Sequence, residues 1–401
     1  MCIYYLVNSI NRGDNENAKA NALSFAENMG NNEDKKITPI EIDSEKPNII
    51  DDISSQEGGS NIIIAAGAHH IKSLVYIKQQ IPAITTIWCG HQILSESYDD
   101  LNRIDHIVVP DHAITSEIEK KFNINKLVKT IGVAHTKTTE LITKSYHEKK
   151  TKISNEFSKF AFVILSGDAP DIDQILRFFS KEEAKALALY FVRELNEKNI
   201  DGIIVTNGPR TGKHNPVTGE IINTHKTTDS MDEVSSEFIN TINESGYAEN
   251  IVFYDFKFDA EKWYDALLGL TYENENSTVY VPGESTSMIS EALTLFNADR
   301  IRLYETNSMN SIHHRHLHNS IAAFALKHLK LGADEKVYSE KMSKLGLFDS
   351  EHEVPLQHTY KIQTAEQEKQ PDLASHYSAA SAAAEAILGR KYQSTSKCTI
   401  M

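Results

Sequence analysis

The chain has 401 residues, 40% hydrophobic and 24% charged, with a formal net charge of −15; that is enough for two or three soluble globular domains. The acidic balance, with aromatics not interleaved with Lys and Arg, excludes a nucleic-acid platform. No apolar run approaches the ~18–20 residues of a membrane span, the N-terminus lacks a signal peptide's basic region, and Cys2, Cys89 and Cys398 form no CxxC pair, so all three read as reduced thiols of a cytoplasmic protein.

Short apolar runs alternate with amphipathic stretches, the pattern of βα units. In the first part, strands are predicted at 3–7, 37–42, 62–66, 84–88, 106–109 and 127–131. Helices are predicted at 18–29, 70–80, 117–122 and 136–147, and a Lys/Glu/Ser-rich linker at 145–159. A second series gives strands at 160–165, 202–206, 251–254, 278–281 and 300–304. Its helices fall at 181–196, 231–244, 260–270, 287–295 and 312–329. Beyond it, 336–348 reads as a helix, 357–371 as weakly apolar, 376–388 as a short Ala-rich helix, and 393–397 has no reason to fold. The expected fold class is therefore α/β: tandem Rossmann-like domains over 1–150 and 155–335 with a cleft between them, then a helical and flexible tail over 336–401.

The most informative segment is VPGESTSMISEA at 281–292. A strand ends, Pro282-Gly283 breaks it, and a helix opens at Ser285, Thr286 or Ser287. Helix N-termini present unpaired N–H groups and suit anions. Glu291 lies one turn in, on the face of Ser287, placed to accept from a ribose hydroxyl. An ordinary capped helix is the alternative.

Other strand ends carry polar loops. Gly167, in Leu165-Ser166-Gly167-Asp168, permits a close approach by backbone or ligand. The run NGPRTGKH at 207–214 is not a Walker A motif, because its Gly-to-Lys spacing is one short and His214 replaces the Ser/Thr that would hold magnesium. Arg210 and Lys213 are nevertheless suited to a pyrophosphate; a solvated basic turn is the alternative. His69, His91 and His112 each follow a first-part strand, and at most one of them is the base for an acceptor hydroxyl. Cys89 reads as packing. The histidines at 313–318 lack carboxylate or thiolate neighbours at metal spacing, so no metal site is expected.

The chain stops at Lys397-Cys398-Thr399-Ile400-Met401, a C-a-a-X box of the farnesylation type with Cys398 as acceptor. A prenyl transferase would be a partner in a eukaryotic cytosol, giving peripheral membrane attachment; a single prenyl chain anchors weakly.

With these motifs in place, the chain resembles the mitochondrial-fission factor family of plants (the elongated-mitochondria type) and its bacterial relatives. The resemblance runs over roughly 61–329. It rests on NIIIAAGAHH, HIVVPDHA with TIGVAH, FVILSGD, IIVTNGPRTG and VPGESTSMISEA. It implies a GT-B glycosyltransferase-like fold with the nucleotide-sugar site mainly in the second domain. Ser285, Thr286 and Ser287 would then meet donor phosphates, Glu291 the ribose, and Arg210 with Gly167 the pyrophosphate. The family usually shows two adjacent arginines where this chain has Gly208-Pro209-Arg210.

The leading expectation is thus a metal-independent sugar transferase needing no cofactor beyond its nucleotide-sugar donor, with a first-domain histidine deprotonating the acceptor. A non-catalytic scaffold recruiting a protein at a membrane is the alternative, since the plant relatives recruit a dynamin-related GTPase. A nucleotide-sugar epimerase is a weaker third. Bacterial relatives and a eukaryotic lipid signal together suggest a bacterial effector meeting a host protein, with 364–370 suited to a secretion signal.

Overall fold

A computed structural model describes residues 2–306, 359–361 and 379–396, apart from 9–11, 34–36, 46–48, 55–60, 111–112, 131, 155–156, 171–175, 223–225, 228, 284, 298–299 and 305. His112, Glu284, the histidines at 313–318, the predicted helices at 312–329 and 336–348, the segment 364–370 and Cys398 lie outside the described residues.

The chain divides into two compact units. The first comprises 1–136 and 377–401, the second 137–376. The division thus falls earlier than 150, and the last helix belongs with the first unit, not with a separate tail.

In the first unit, β1 (Ile3–Val7), β2 (Ile40–Asp43), β3 (Ile62–Ala66), β4 (Thr85–Cys89), β5 (His106–Pro110) and β6 (Leu127–Thr130) form one parallel sheet. Its order is β2-β1-β3-β4-β5-β6. All five residues of β3 are buried, as a central parallel strand covered on both faces requires. One face carries Ile3, Tyr5, Ile62, Ile64 and Ala66 against α1 (Arg12–Glu33) and α11 (Ala379–Ser396), through Ala18, Ala22, Phe25, Ala383, Ala384 and Ile387. The alternate residues Tyr4, Leu6, Ile63 and Ala65 meet α2 (Ile49–Ser54), α3 (Ile71–Gln80), α4 (Tyr98–Leu101) and α5 (Ser116–Lys121). The short helices α2 and α4 are absent from the sequence reading, as six- and four-residue turns leave no periodic stripe. Helix α11 runs on through 393–396, which were expected not to fold. Its alanines give weak periodicity but a thin face that fits close against α1.

The second unit opens with α6 (Thr139–Lys149), which the sequence reading assigned to the first domain. Ile142 and Tyr146 join the core formed with α9 (Tyr264–Glu273). The contact is tight because α9 offers Gly269: a Cβ there would stand 2.2 Å from the Ile142 carbonyl oxygen. Alternation of strand and helix cannot reveal which sheet a crossover helix will choose.

Strands β7 (Phe160–Ile164), β10 (Gly202–Thr206), β11 (Ile251–Tyr254), β12 (Thr278–Pro282), β13 (Ile301–Tyr304) and β14 (Thr359–Lys361) form the second sheet, ordered β11-β10-β7-β12-β13-β14. All pairings are parallel except β13 with β14, so part of the weakly apolar 357–371 is an edge strand. A ribbon, β8 (Ala169–Pro170) with β9 (Leu176–Arg177), follows β7. Helices α7 (Lys181–Asn196) and α8 (Glu233–Glu244) cover one face through Leu187, Phe191, Phe238 and Ile242. Helices α6, α9 and α10 (Thr286–Leu295) cover the other. Helix α7 begins with a capping box, in which Ser180 accepts from the Glu183 N–H and Glu183 accepts from the Ser180 N–H. Both units are therefore Rossmann-like, the first sheet wholly parallel and the second parallel except at its β14 edge, with helices on both faces.

Candidate functional site

In an open parallel sheet, ligands sit beyond the carboxyl ends of the strands where the chain reverses its direction of sheet growth. In the second unit the chain builds β7, β10 and β11 outward, then returns to place β12 on the opposite flank of β7. The reversal lies between β7 and β12. With strands roughly 4.8 Å apart, the ends of β10, β7 and β12 open within about 10 Å of one another. These are the strands whose loops carry Arg210, Gly167 and the start of α10.

The first two loops are laced together. The Asp168 N–H donates to the Arg210 carbonyl at 2.9 Å, and the buried Thr211 hydroxyl donates to the Ser166 carbonyl at 2.8 Å. The Gly208 N–H donates to Thr211 Oγ1 at 3.1 Å. A Cβ on Gly167 would lie 2.5 Å from Arg210 Cβ and 2.8 Å from its carbonyl carbon. The glycine thus admits the neighbouring loop. Arg210 is exposed and Lys213 half-buried, so both basic side chains reach solvent at this edge.

Beneath that loop lies a polar network that the sequence reading missed. Asn207 Nδ2 stands 3.0 Å from Asp232 Oδ2, 2.9 Å from Ser235 Oγ and 2.7 Å from Asp255 Oδ1, and Asn207 Oδ1 accepts from the Phe256 N–H at 2.6 Å. Lys226 is wholly buried and donates to Asp232 at 3.0 Å. Asp232 also caps α8, accepting from the Ser235 N–H. Gly212, at φ +59°, passes over Asp232, where a Cβ would meet Oδ1 at 2.8 Å. The Asp-x-x-Ser cap of α8 was legible in sequence; a lysine buried against it was not.

Asp168 joins the two loops from the other side. It is 3% exposed, and its Oδ2 accepts from the His214 N–H at 2.8 Å and lies 3.2 Å from His214 Nδ1. Its Oδ1 accepts from the Phe179 N–H. Burial pushes the Asp168 carboxyl above the usual carboxylate range, against the opposing pull of its hydrogen bonds to His214 and Phe179. The strand-end sequence Ser-Gly-Asp carried a signal here, an acidic residue directly after the turn glycine.

At the third loop, Gly283 N–H donates to the Tyr304 carbonyl at 2.9 Å and fixes the exit from β12. Helix α10 starts at Thr286, with Ser285 as the cap accepting from the Met288 N–H. Ser285 and Thr286 are half-buried and Ser287 exposed. The first N–H groups of such a helix lack intrahelical acceptors and carry its positive dipole end. Glu291 Oε2 accepts from the hydroxyl of the half-buried Tyr264 at 2.7 Å. Burial, then the Glu291 charge, holds the Tyr264 hydroxyl well above its ordinary value. The structure therefore gathers Gly167, Arg210, Lys213, Ser285, Thr286 and Ser287 on one sheet edge, and gives Glu291 a protein partner.

In the first unit the reversal lies between β1 and β3. Gly67, at φ +84°, ends β3, and His69 follows in a 3-10 turn, exposed, with Nδ1 3.9 Å from Asp14 Oδ2. His91 is exposed beyond β4. His70 is buried, and among the described residues its Nε2 has no hydrogen-bond partner. Burial, then the neighbouring His69, lowers its pKa to about 4. Trp88 Nε1 donates to the Gly67 carbonyl at 2.9 Å, and its ring fills the place a Cβ on Gly90 would take. Cys89 is buried, which pushes its thiol up and away from reactivity.

Among the described residues no group of three His, Cys, Asp or Glu is placed to hold a metal, and no helix is long and apolar enough to cross a membrane.

No protein-family profile matches the chain, and no curated protein does either. Among solved structures, it is similar to a glycosyltransferase from Rickettsia africae, at 12% identity and TM-score 0.40, covering 87% of this chain and 99% of that one. It is similar also to an alpha,alpha-trehalose-phosphate synthase (UDP-forming) from Burkholderia vietnamiensis, at 11% identity and TM-score 0.41, covering 88% and 77%. A third similar structure is MurG of Acinetobacter baumannii, at 9% identity and TM-score 0.36, covering 86% and 91%. At this level the likeness is too loose to carry any residue over.

Proposed function

We propose that this chain is a GT-B-type glycosyltransferase whose second unit binds a nucleotide-sugar donor at the carboxyl edge of its sheet. One observation supports this most: Gly167, Arg210 and the start of α10 stand together where the strand order reverses. The α10 N–H groups and the Arg210 guanidinium would stabilise the diphosphate leaving group electrostatically.

One observation favours the second reading, a fission-factor-type scaffold that binds a partner without turnover. Glu291, expected on the ribose, is engaged by Tyr264.

Ligand-dependent melting tests the donor site. The panel holds UDP-glucose, ADP-glucose, GDP-mannose and their free diphosphates, against wild type, Arg210→Ala and Glu291→Ala. Tyr264→Phe is the control for loss of the Glu291 hydrogen bond. The donor reading expects one nucleotide family to raise the melting point of wild type, and Arg210→Ala to diminish that rise. A folded protein that none of them stabilises sinks it and leaves the scaffold reading.

A further inference from the structure

Beyond the carboxyl end of the second sheet, His214 is a titratable side chain that the donor reading leaves without a role. His214 follows Lys213 in the loop beyond β10, and three contacts fix it. Its N–H donates to Asp168 Oδ2 at 2.8 Å, its ring nitrogen Nδ1 lies 3.2 Å from the same oxygen, and the Phe178 ring packs edge-on against it at 6.3 Å. The backbone around it is closed into a small hairpin, with the Asn215 N–H donating to the Glu220 carbonyl and the Ile222 N–H to the Lys213 carbonyl. The imidazole is 11% exposed and the Asp168 side chain 2%.

An ionised carboxylate only accepts, so Nδ1 must carry the proton in this contact. Nε2 is then the ring atom left to face a ligand. A doubly protonated ring donates from both nitrogens, so with Nδ1 turned to Asp168 the ring can meet an anion at Nε2. The loops bearing the pair flank Gly167 and Arg210, and Asp168 is the residue next to Gly167.

We propose that His214, held in one orientation by the buried Asp168, supplies a hydrogen-bond donor and positive charge to the diphosphate of a nucleotide sugar at this edge. The proposal rests on the donor-site reading given above. His214 is the ligand contact and Asp168 a positioning residue. The other charged groups of the surrounding elements include Arg210 and Lys213 on the same loop, Glu220 across the small hairpin, Arg177 of β9 beside Phe178, and Asp232 under Gly212, itself paired with Lys226. A nucleotide sugar's diphosphate is a diester that stays fully ionised near neutral pH, so a pH-dependent affinity reports the protein.

The test is titration calorimetry of the full chain with the nucleotide sugar that stabilises it best, at about pH 5.5 and about pH 8, on either side of the ordinary histidine range. Wild type is expected to bind about tenfold tighter at the lower pH. His214→Gln keeps a donor of similar reach but no titratable charge, and should bind equally at both. Asp168→Asn should flatten the dependence as well. Arg210→Ala should weaken binding at both values and keep the slope. Histidine-labelled NMR gives a second readout on the unaltered protein: ligand should shift the His214 titration to higher pH. If His214→Gln retains the wild-type slope, or ligand leaves the His214 titration unmoved, the assignment is overturned while donor binding stands. If Asp168→Asn behaves as wild type, the positioning role of Asp168 is overturned. If no nucleotide sugar binds wild type at either pH, the donor reading falls and this assignment with it.

Discussion

The two sheets present the same kind of edge, yet different physics holds each in shape. In the second unit the strand-end loops are tied by buried polar groups: Lys226 on Asp232, Asn207 among Asp232, Ser235 and Asp255, and His214 on Asp168. In the first unit the corresponding loops rest on packing. Trp88 lies under Gly90 and bonds the Gly67 carbonyl, and His70 is buried in its neutral form. A strand-order reversal therefore supplies a crevice, and the residues beyond it decide whether the crevice is preorganised for charge. A polar network is rigid when every member is satisfied and costly when one is lost. An apolar seat tolerates loss of charge but not added volume.

This contrast can be broken unit by unit, because the two tryptophans fall one in each: Trp88 in the first unit and Trp263 in the second. Trp263→Phe leaves fluorescence reporting the first unit, and Trp88→Phe the second.

The largest effect is expected at Lys226. Lys226→Met leaves Asp232 buried without its cation and should destabilise the second unit by about 3–5 kcal/mol. Urea unfolding followed by Trp263 would show it, and an unchanged midpoint would mean that the network is not needed to hold the loop.

Acid should act on the first unit through His70. Its folded pKa lies near 4, below the ordinary 6.5. Between these values the unfolded chain takes up a proton that the folded unit refuses, so stability is complete above about pH 6.5 and falls as pH drops toward 4. The loss approaches about 3 kcal/mol. His70→Leu should remove that part of the pH dependence in the Trp88 signal; a slope that persists unchanged would assign it elsewhere.

Next in size is Gly90→Ala. The new methyl would meet the Trp88 ring, buried to 2% exposure. Overpacking of this kind costs about 1–3 kcal/mol. The loss should appear in the first unit alone, and equal losses in both would argue against independent edges.

The smallest effect is Tyr264→Phe, which removes the hydrogen bond to Glu291 and should cost about 1 kcal/mol in thermal unfolding. The same variant sharpens the reading of Glu291. A carboxylate freed from Tyr264 that then strengthens nucleotide-sugar binding would return it to the ribose role.

Much of the architecture was legible in sequence. The strands Gly202–Thr206 and Ile251–Tyr254 and the helix Lys181–Asn196 fall where the pattern put them, because buried β-branched runs and a Ser-x-x-Glu cap are local signals. Other boundaries moved. The helix read at 260–270 begins at Tyr264, since Trp263 packs on Tyr254 instead of entering the helix. The site was legible only in pieces. Gly167, Arg210 and the Ser285–Ser287 turn each marked a strand end, but nothing in their spacing said that their strands are adjacent.

The sequence by itself determined the alternation of strands and helices, the strand ends carrying polar loops and the start of α10. Each of these depends on side-chain period, turn residues and caps within a few positions along the chain. Only the tertiary structure decided the strand orders, the transfer of α6 to the second unit and of α11 to the first, and the meeting of Asp168 with His214 and of Lys226 with Asp232. Those outcomes turn on which apolar faces fit each other and on which buried charges must find partners. Both are settled by tertiary packing, where desolvation makes an unpaired buried charge too costly to keep.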